Sequence, residues 1–413
     1  MDQEKAKQLF ENGAIFVFLD VPHNIIFGID YNCWRTGEKF KGVKMIPPGI
    51  HYIYFNAIDQ TAKASIGDRT GFFHCFKRNE IVVKKWNNQT ETLDTEYVCD
   101  EQELERFRAN RHDMDRYLGA YPYESFSTWH SLSSQITESY VSMLVPENRL
   151  ITSSVNLVGQ PFKSSSSSSS KKVESAAEPM VEEEEDEEEK VKPFDDYFRV
   201  PRSLREAEQM LPKLTEEKGT NVRFSRYEAK YPLNSNAADI TRHSMDLSYR
   251  INQLLDERRN NDSRQSIGND FVLCELQFAF LLFLIGNCYE AFEQWKFLVH
   301  LLCNSETFVK ENRVVYEKLL NVLYFQLKEM PDDFFTDLST QNNFLCMNLH
   351  NLFANIADLN DDDGTTSSFR SLKKRASEFK EYLTQKFSFD FDDEPDEYAP
   401  VVVELPDSDV NEL

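Results

Sequence analysis

The signatures that announce common enzyme classes are missing from this 413-residue sequence. It has no G-x-S-x-G elbow, no H-E-x-x-H pair and no glycine-rich dinucleotide fingerprint, so these hydrolase, metallopeptidase and cofactor arrangements have no starting point. Its seven cysteines, at 33, 75, 99, 274, 288, 303 and 346, never form C-x-x-C. Odd in number and widely spaced, they fit free thiols of a reducing compartment. The most apolar stretch, FVLCELQFAFLLFLIG at 271–286, is broken by Glu275 and Gln277. It falls short of the ~20 apolar residues of a bilayer span and reads as a buried core helix, so no membrane contact is expected. The opening MDQEKAKQLF is polar and charged, and no signal peptide is expected before the first apolar run. The expectation is a soluble protein, cytoplasmic and nuclear.

Lysine and arginine are absent from two spans, 174–189 and 390–413, and each span holds ten acidic side chains. Those twenty charges account for most of the net −24, leaving the remainder near −4. The folded portions are therefore not acidic bodies; the charge sits in segments that repel themselves and stay solvated. Phosphate binding needs clustered cations, so no specific nucleic-acid binding is expected. Small basic spots at Lys39, Lys41 and Lys44, at Lys77 and Arg78, and at Lys84 and Lys85 read as solvated strand and turn faces.

What is present divides the chain. The first 159 residues read as strands and turns, the pattern of a compact β-sandwich or barrel. AIFVFL (14–19) and IHYIYF (50–55) are strands, and GFFHCF (71–76) with EIVVKKW (80–86) flank a short polar turn in a hairpin pattern. Asp100 caps a helix that places Leu104, Phe107, Met114 and Leu118 on one face. Residues 160–193, with serines 164–170 and the acidic run, form a disordered linker. The span 194–389 is an all-α domain with ordered helices from about Ala237, followed by the acidic tail 390–413. One helix is expected from Asp239 to about Arg259, and Phe271 to Ile285 is apolar all round. Phe292, Trp295, Leu298, Val299 and Leu302 make a helical stripe, repeated by Tyr316, Leu319, Leu320, Leu323 and Leu327. The fold class is thus α+β in two domains.

Few residues promise chemistry. In GEKFKGVKMIPPGIHYIYF (37–55) the Gly37–Gly42 spacing imitates a phosphate loop, but Val43 stands at the lysine position and Pro47-Pro48-Gly49 blocks the helix that should follow. LNDDDGTTSSFR (359–370) imitates a calcium loop but has Leu359 and Arg370 where acidic ligands belong. Cys33, Cys75 and Cys99 near His23, His51 or His74 lack zinc-knuckle spacing, and buried cysteines of a β core are expected instead. No catalytic residue, cofactor or metal site is assigned. Interaction chemistry remains in YAPVVVELP (398–406), where Val401, Val402, Val403, Glu404 and Leu405 stand between two prolines inside an acidic segment. This is the form of a strand added to another sheet, whether a partner's or an edge of its own chain.

The blocks GIDYNCW (28–34), FKGVKMIPPGIHYIYF (40–55), DITRHSMDLSY (239–249), ELQFAFLLFLIGNCYEAFEQWKFLVHLLC (275–303), PDDFF (331–335) and APVVVELP (399–406) resemble the AAR-two family of splicing factors. The resemblance implies an N-terminal β-sandwich-like domain, a VHS-like helical domain and a flexible joining segment. It further implies a non-enzymatic assembly factor of the U5 small nuclear ribonucleoprotein. Such a factor binds the large scaffold protein Prp-eight at its RNase H-like and neighbouring domains in a cytoplasmic precursor, and holds off the Brr-two helicase. Carried onto this chain, strand addition falls to Val401, Val402, Val403 and Leu405, with Glu404 facing outward. Two rigid domains on a flexible linker would grip the scaffold together with this tail. Readings from other classes are a single-stranded nucleic-acid binder, stacking bases on Tyr52, Tyr54 and Phe55 near Lys39, Lys41 and Lys44, and a VHS-like trafficking adaptor.

Overall fold

The structure, a computed structural model, describes residues 3–58, 66–155, 157–159, 214–227, 229–261, 267–331, 344–359, 368–387 and 391. The expected linker 160–193 lies outside them, as does the tail apart from Phe391. Contacts group Met1–Ser154 with Gly219–Leu413 as one unit and Val155–Lys218 as another. In the smaller unit, Leu157–Gly159 pairs antiparallel with Leu214–Glu216.

The first half of the larger unit is a sandwich of two five-stranded sheets. Sheet one runs β8 (Thr92–Leu93), β7 (Ile81–Asn87), β1 (Ala14–Leu19), β4 (Gly42–Ile46), β9 (Gly119–Ala120), with helix α1 (Gln3–Asn12) against β4. Sheet two runs β10 (Ile151–Thr152), β6 (Ile66–Phe76), β5 (Gly49–Ile58), β2 (Ile26–Ile29), β3 (Asn32–Arg35). The run AIFVFL is uniformly apolar because β1 is covered on both faces. Ala14, Phe16 and Phe18 point between the sheets toward Phe27, Phe55 and Trp86, while Ile15 and Val17 meet Leu104, Phe107, Met114 and Leu118 on the other side.

Three local expectations are corrected here. Strands β6 and β7 do not form a hairpin: they belong to different sheets, and β7 runs parallel to β1. A polar turn joins two strands without saying which sheet receives the second. Helix α2 (Glu101–Ala109) starts as expected, with the Asp100 carboxylate accepting the Glu103 N–H at 2.7 Å, but it stops at Asn110 and restarts as α3 (Arg111–Met114). The third concerns Asp239–Arg259, which is two helices, α6 (Ala237–Met245) and α7 (Ser248–Asn261), capped separately. The Asp246 carboxylate between them accepts from Ser248 N–H at 3.0 Å and Thr307 N–H at 3.2 Å. An aspartate that caps two helix starts ends the preceding helix.

The second half contains α8 (Phe271–Leu284), α9 (Tyr289–Cys303), α10 (Glu306–Glu311), α11 (Arg313–Glu329), α12 (Phe344–Ala357) and α13 (Ser368–Phe387). Both apolar stripes face the core: Trp295, Leu298, Val299 and Leu302 of α9 are buried, as are Tyr316, Leu319, Leu320, Leu323 and Leu327 of α11. Within α8 every residue from Phe271 to Leu282 is buried. Helix α9 covers one side, with Trp295 against Phe280 at 6.0 Å. Cover for the other side comes from the sandwich, through α5 (Glu138–Leu144), α4 (Phe126–Leu132) on α11, and the outer face of sheet two, where Phe73 meets Phe278 at 5.0 Å. That face is shaped by glycine. Gly28 and Gly71 flank Tyr54 on the neighbouring strands; a Cβ on Gly28 would overlap the Tyr54 ring, and one on Gly71 would stand 2.5 Å from the Tyr52 hydroxyl. The tyrosines can therefore lie flat on the sheet and accept a helix.

The two polar residues of α8 tie it to its surroundings. Glu275 accepts from Ser225 N–H at 2.7 Å, Ser225 Oγ at 2.6 Å and Gln294 Nε2 at 2.9 Å. Gln277 accepts from Gln135 N–H at 2.7 Å and donates to Ser134 Oγ at 3.2 Å and Ser131 O at 3.3 Å. Further links between the halves are the Tyr31 hydroxyl on Glu329 Oε2 at 2.6 Å and the Arg69 guanidinium on the Ile285 carbonyl at the end of α8. The sandwich keeps its own interior around Phe16, Phe27 and Phe55, while the outer face of sheet two and α4–α5 join the core of the helices. The expected β-rich and all-α domains are both present, and they are packed against each other.

Two domains joined by buried packing of this kind should unfold together. Urea transitions of the helices, followed by circular dichroism, and of β5–β6, followed by hydrogen exchange, are expected to coincide. Gln277→Ala should shift both together by about 1 kcal/mol, because it removes the hydrogen bonds that join α8 to residues 131–135; two separated transitions would contradict the coupling. A second expectation concerns pH. Burial pushes the Glu275 carboxyl up, against the pull of Ser225, Arg258 and Gln294. The folded chain therefore holds this proton more tightly than the unfolded chain, and the site's contribution to stability falls as pH rises from about 4.5. Glu275→Gln should gain stability relative to the parent through that window; a pH-independent difference in urea midpoints would contradict it.

Candidate interaction surface

The nearest approach to catalytic geometry is enclosed. At the start of β5, His51 Nδ1 lies 2.6 Å from Asp30 Oδ2, which also accepts the Tyr121 hydroxyl at 2.5 Å. Asp30 Oδ1 accepts the Tyr52 N–H at 3.0 Å. An aspartate–histidine pair is part of the familiar triad, but there the second ring nitrogen must meet a nucleophile. Here His51 Nε2 is bonded to the Pro47 carbonyl at 2.8 Å and the residue is 1% exposed. The network pins the Pro47-Pro48-Gly49 turn to the β2–β3 hairpin and to the segment after β9, and it offers a reactant no access.

The residues singled out by sequence are dispersed. Gly42 opens β4 at φ 136°, where a Cβ would strike the Phe16 carbonyl, so this glycine permits sheet packing. Lys44 is paired with Asp115 at 2.5 Å and Lys85 with Asp20 at 3.6 Å. Tyr52, Tyr54 and Phe55 are 0%, 3% and 1% exposed, so the proposed base-stacking surface does not exist. The cysteine expectation is also corrected: Cys33 is exposed and Cys75 and Cys99 are half-buried, while the buried thiols Cys274, Cys288 and Cys303 belong to the helical half. Alternation in a strand that is covered on one face only leaves half of its small residues outside. Among the described residues no three His, Cys, Asp or Glu side chains are grouped to hold a metal ion, and no helix is long and apolar enough to cross a membrane. Val401, Val402, Val403, Glu404 and Leu405 lie outside the described residues, as do 360–367 of the calcium-like stretch.

A surface that sequence reasoning did not find lies where both sheets end. Strands β3 and β9 are edge strands of their sheets, and a groove of about 660 Å³ runs between them, lined by Tyr31, Asn32, Cys33, Trp34, Gly119, Ala120, Pro122, Glu124, Ser125 and Thr128. Asn32 Nδ2 donates to Ser125 Oγ at 2.5 Å within its wall, and Trp34 packs on Phe27 at 5.7 Å. A shallower hollow of about 460 Å³ shares Gly119 and brings in Lys39, Phe40, Arg116 and Tyr117. Lys41 and Arg116 both lie over the Tyr117 ring, at 5.5 and 4.9 Å. The burial alternation of NCWR, inward at Asn32 and Trp34 and outward at Cys33 and Arg35, is the local sign of an edge with one face open.

An open edge beside a groove is a candidate interaction surface, and comparison with known proteins places the chain that carries it. The family model described as the AAR2 N-terminal domain matches residues 12–146, and that of the AAR2 C-terminal repeat region matches 224–392. The mouse protein named Protein AAR2 homolog is 40% identical over 98% of this chain and 97% of its own length. The Caenorhabditis elegans protein of the same name is 34% identical over 93% and 96%. This chain belongs to the AAR2 family. The Saccharomyces cerevisiae protein named A1 cistron-splicing factor AAR2 is 22% identical over 94% of this chain and 96% of its own length. In this AAR2-family chain the first match ends after α5 and the second begins at Phe224, beside the Ser225 that holds Glu275. The second match extends past Phe391, whose ring meets Phe353 edge-on at 5.3 Å.

The distribution of thiols is directly measurable. A maleimide at neutral pH should label Cys33 quickly and leave Cys274 and Cys303 unmodified until urea unfolds the chain. Burial encloses both and pushes the Cys274 thiol up to about 12. Equal labelling of Cys33 and Cys303 in the folded protein would contradict the placement of β3 and α9.

Proposed function

We propose that this protein is a non-enzymatic factor of pre-mRNA splicing. It binds the large U5 scaffold protein Prp-eight at its RNase H-like and neighbouring domains in a precursor particle, and so blocks premature binding of the Brr-two helicase. The observation that carries the splicing reading is the near-full-length similarity to a yeast protein named as a splicing factor. Support for binding rather than catalysis comes from polar side chains that are spent on internal hydrogen bonds, as at His51, Glu275 and Gln277. Work in both cytoplasm and nucleus is part of the proposal.

The grip follows from the packed body. Because the sandwich packs on the helices, the two points of attachment are this body and the tail strand 401–405, whose main chain can extend a partner's sheet. A tail tethered to a bound body acts at millimolar-order effective concentration, so weakening either contact releases both. Affinity purification of the full chain followed by mass spectrometry is expected to recover the U5 scaffold without the helicase. Deleting 397–413 should weaken scaffold binding by roughly 10²-fold or more, as loss of one of two linked contacts does. Equal recovery of scaffold and helicase would overturn the competition, and unchanged affinity after the deletion would overturn the tail contact.

A further inference from the structure

Strand β3 closes sheet two, and among the described residues nothing pairs with its outer edge. Its two-residue turn from β2 and the Thr36 N–H bond to the Ile25 carbonyl at 2.9 Å fix the phase of the ladder. Antiparallel pairs alternate, so the main chain of Asn32 and Trp34 faces β2, while the N–H and C=O of Cys33 and Arg35 face outward. This is an open template for one short strand beside an open groove.

The C-terminal end of α13 is tied to the end of α11, which in turn reaches the β2–β3 turn. Near the end of α13, Lys386 Nζ donates to the carbonyls of Leu327, Lys328 and Met330 at 2.9, 2.8 and 2.9 Å. The intervening Glu329 accepts the hydroxyl of Tyr31, a residue of the β2–β3 turn that lines the groove. From Phe391 the ten residues to Val401 can span up to ~33 Å when extended. The hollow that adjoins the groove carries Lys39 and Arg116 beside Glu38, and the tail carries acids on both sides of VVVEL. Length also matches, because Pro400 and Pro406 limit pairing to five residues and β3 has four.

We propose that residues 401–405 dock in cis on the outer edge of β3 as a sixth strand of sheet two, with the flanking acids set against Lys39 and Arg116 of the adjoining hollow. The β-branched segment and the open edge then cover one another, and an incoming partner must displace β3 to take the strand. The inference stands apart from the identity of that partner.

Disulfide trapping in the full chain tests it. Adjacent strand residues face opposite ways, so Val402→Cys and Val403→Cys are made separately, and one of them should join the exposed Cys33 within a single chain under diamide. Peptide mapping identifies the bond. Links confined to Cys75, Cys99 or Cys346, links only between chains, or no link would each overturn docking in cis. Independently of any cysteine, deleting 392–413 should speed hydrogen exchange at the Cys33 and Arg35 amides by roughly tenfold or more, as protection by an added strand is lost. Unchanged exchange would overturn the proposal even if scaffold binding depended on the tail.

Discussion

A helix that is apolar on every side has no stable existence in water, and α8 is such a helix. With the whole of Phe271 to Leu282 buried, removing any one neighbour would return large side chains to solvent, at ~25 cal/mol per Å² of exposed apolar surface. The constraint reaches in both directions. Helices α9 and α11 can satisfy only part of the circumference, so sheet two must supply the rest, and its outer face has to be flat and aromatic rather than charged. The glycines beside Tyr54, the loss of any stacking surface at Tyr52, and the burial of Gln277 against the Ser131–Gln135 segment all follow from that demand.

The polar residues inside this core specify more than they stabilise. A buried carboxylate is costly unless its hydrogen bonds are made, and Glu275 finds three donors only if Ser225 and Gln294 arrive together. Gln277 makes the same demand of the sandwich. Two hydrophobic faces could slide on one another with modest penalty, whereas misaligned amide and carboxyl groups would be left unpaired. On one helix, two residues apart, Gln277 thus sets register toward the sandwich and Glu275 toward α9 and the segment that carries Ser225.

Much of this was legible in sequence wherever burial writes a pattern. The strand AIFVFL, the stripes of α9 and α11, the Asp100 cap and the all-apolar α8 follow from periodicity and side-chain chemistry alone. What failed depends on distant partners. The segments GFFHCF and EIVVKKW carry strand signals but no record of their sheet, and Asp246 ends a helix because Thr307, sixty-one residues away, also needs its carboxylate. Tyr52 and Tyr54 look like a surface because alternating aromatics with nearby lysines do not disclose which face a helix will cover. The groove beside β3 was invisible for the same reason, since an edge strand is defined by what fails to pair with it.

The separation of charge explains how such a body can still recruit a partner. Were the acidic side chains spread over the sandwich and helices, they would oppose close approach of any negatively charged assembly and weaken the compact state by self-repulsion. With most of the excess placed in 174–189 and 390–413, the remainder is nearly neutral, and the hollow beside the groove keeps Lys39 and Arg116. Within the tail, the acids keep a β-prone pentapeptide from associating with copies of itself, because like charges flank it on both sides. They exert no such penalty beside a basic rim. For the docking proposed above, specificity for the strand's destination would come from repulsion as much as from the hydrogen bonds it can make.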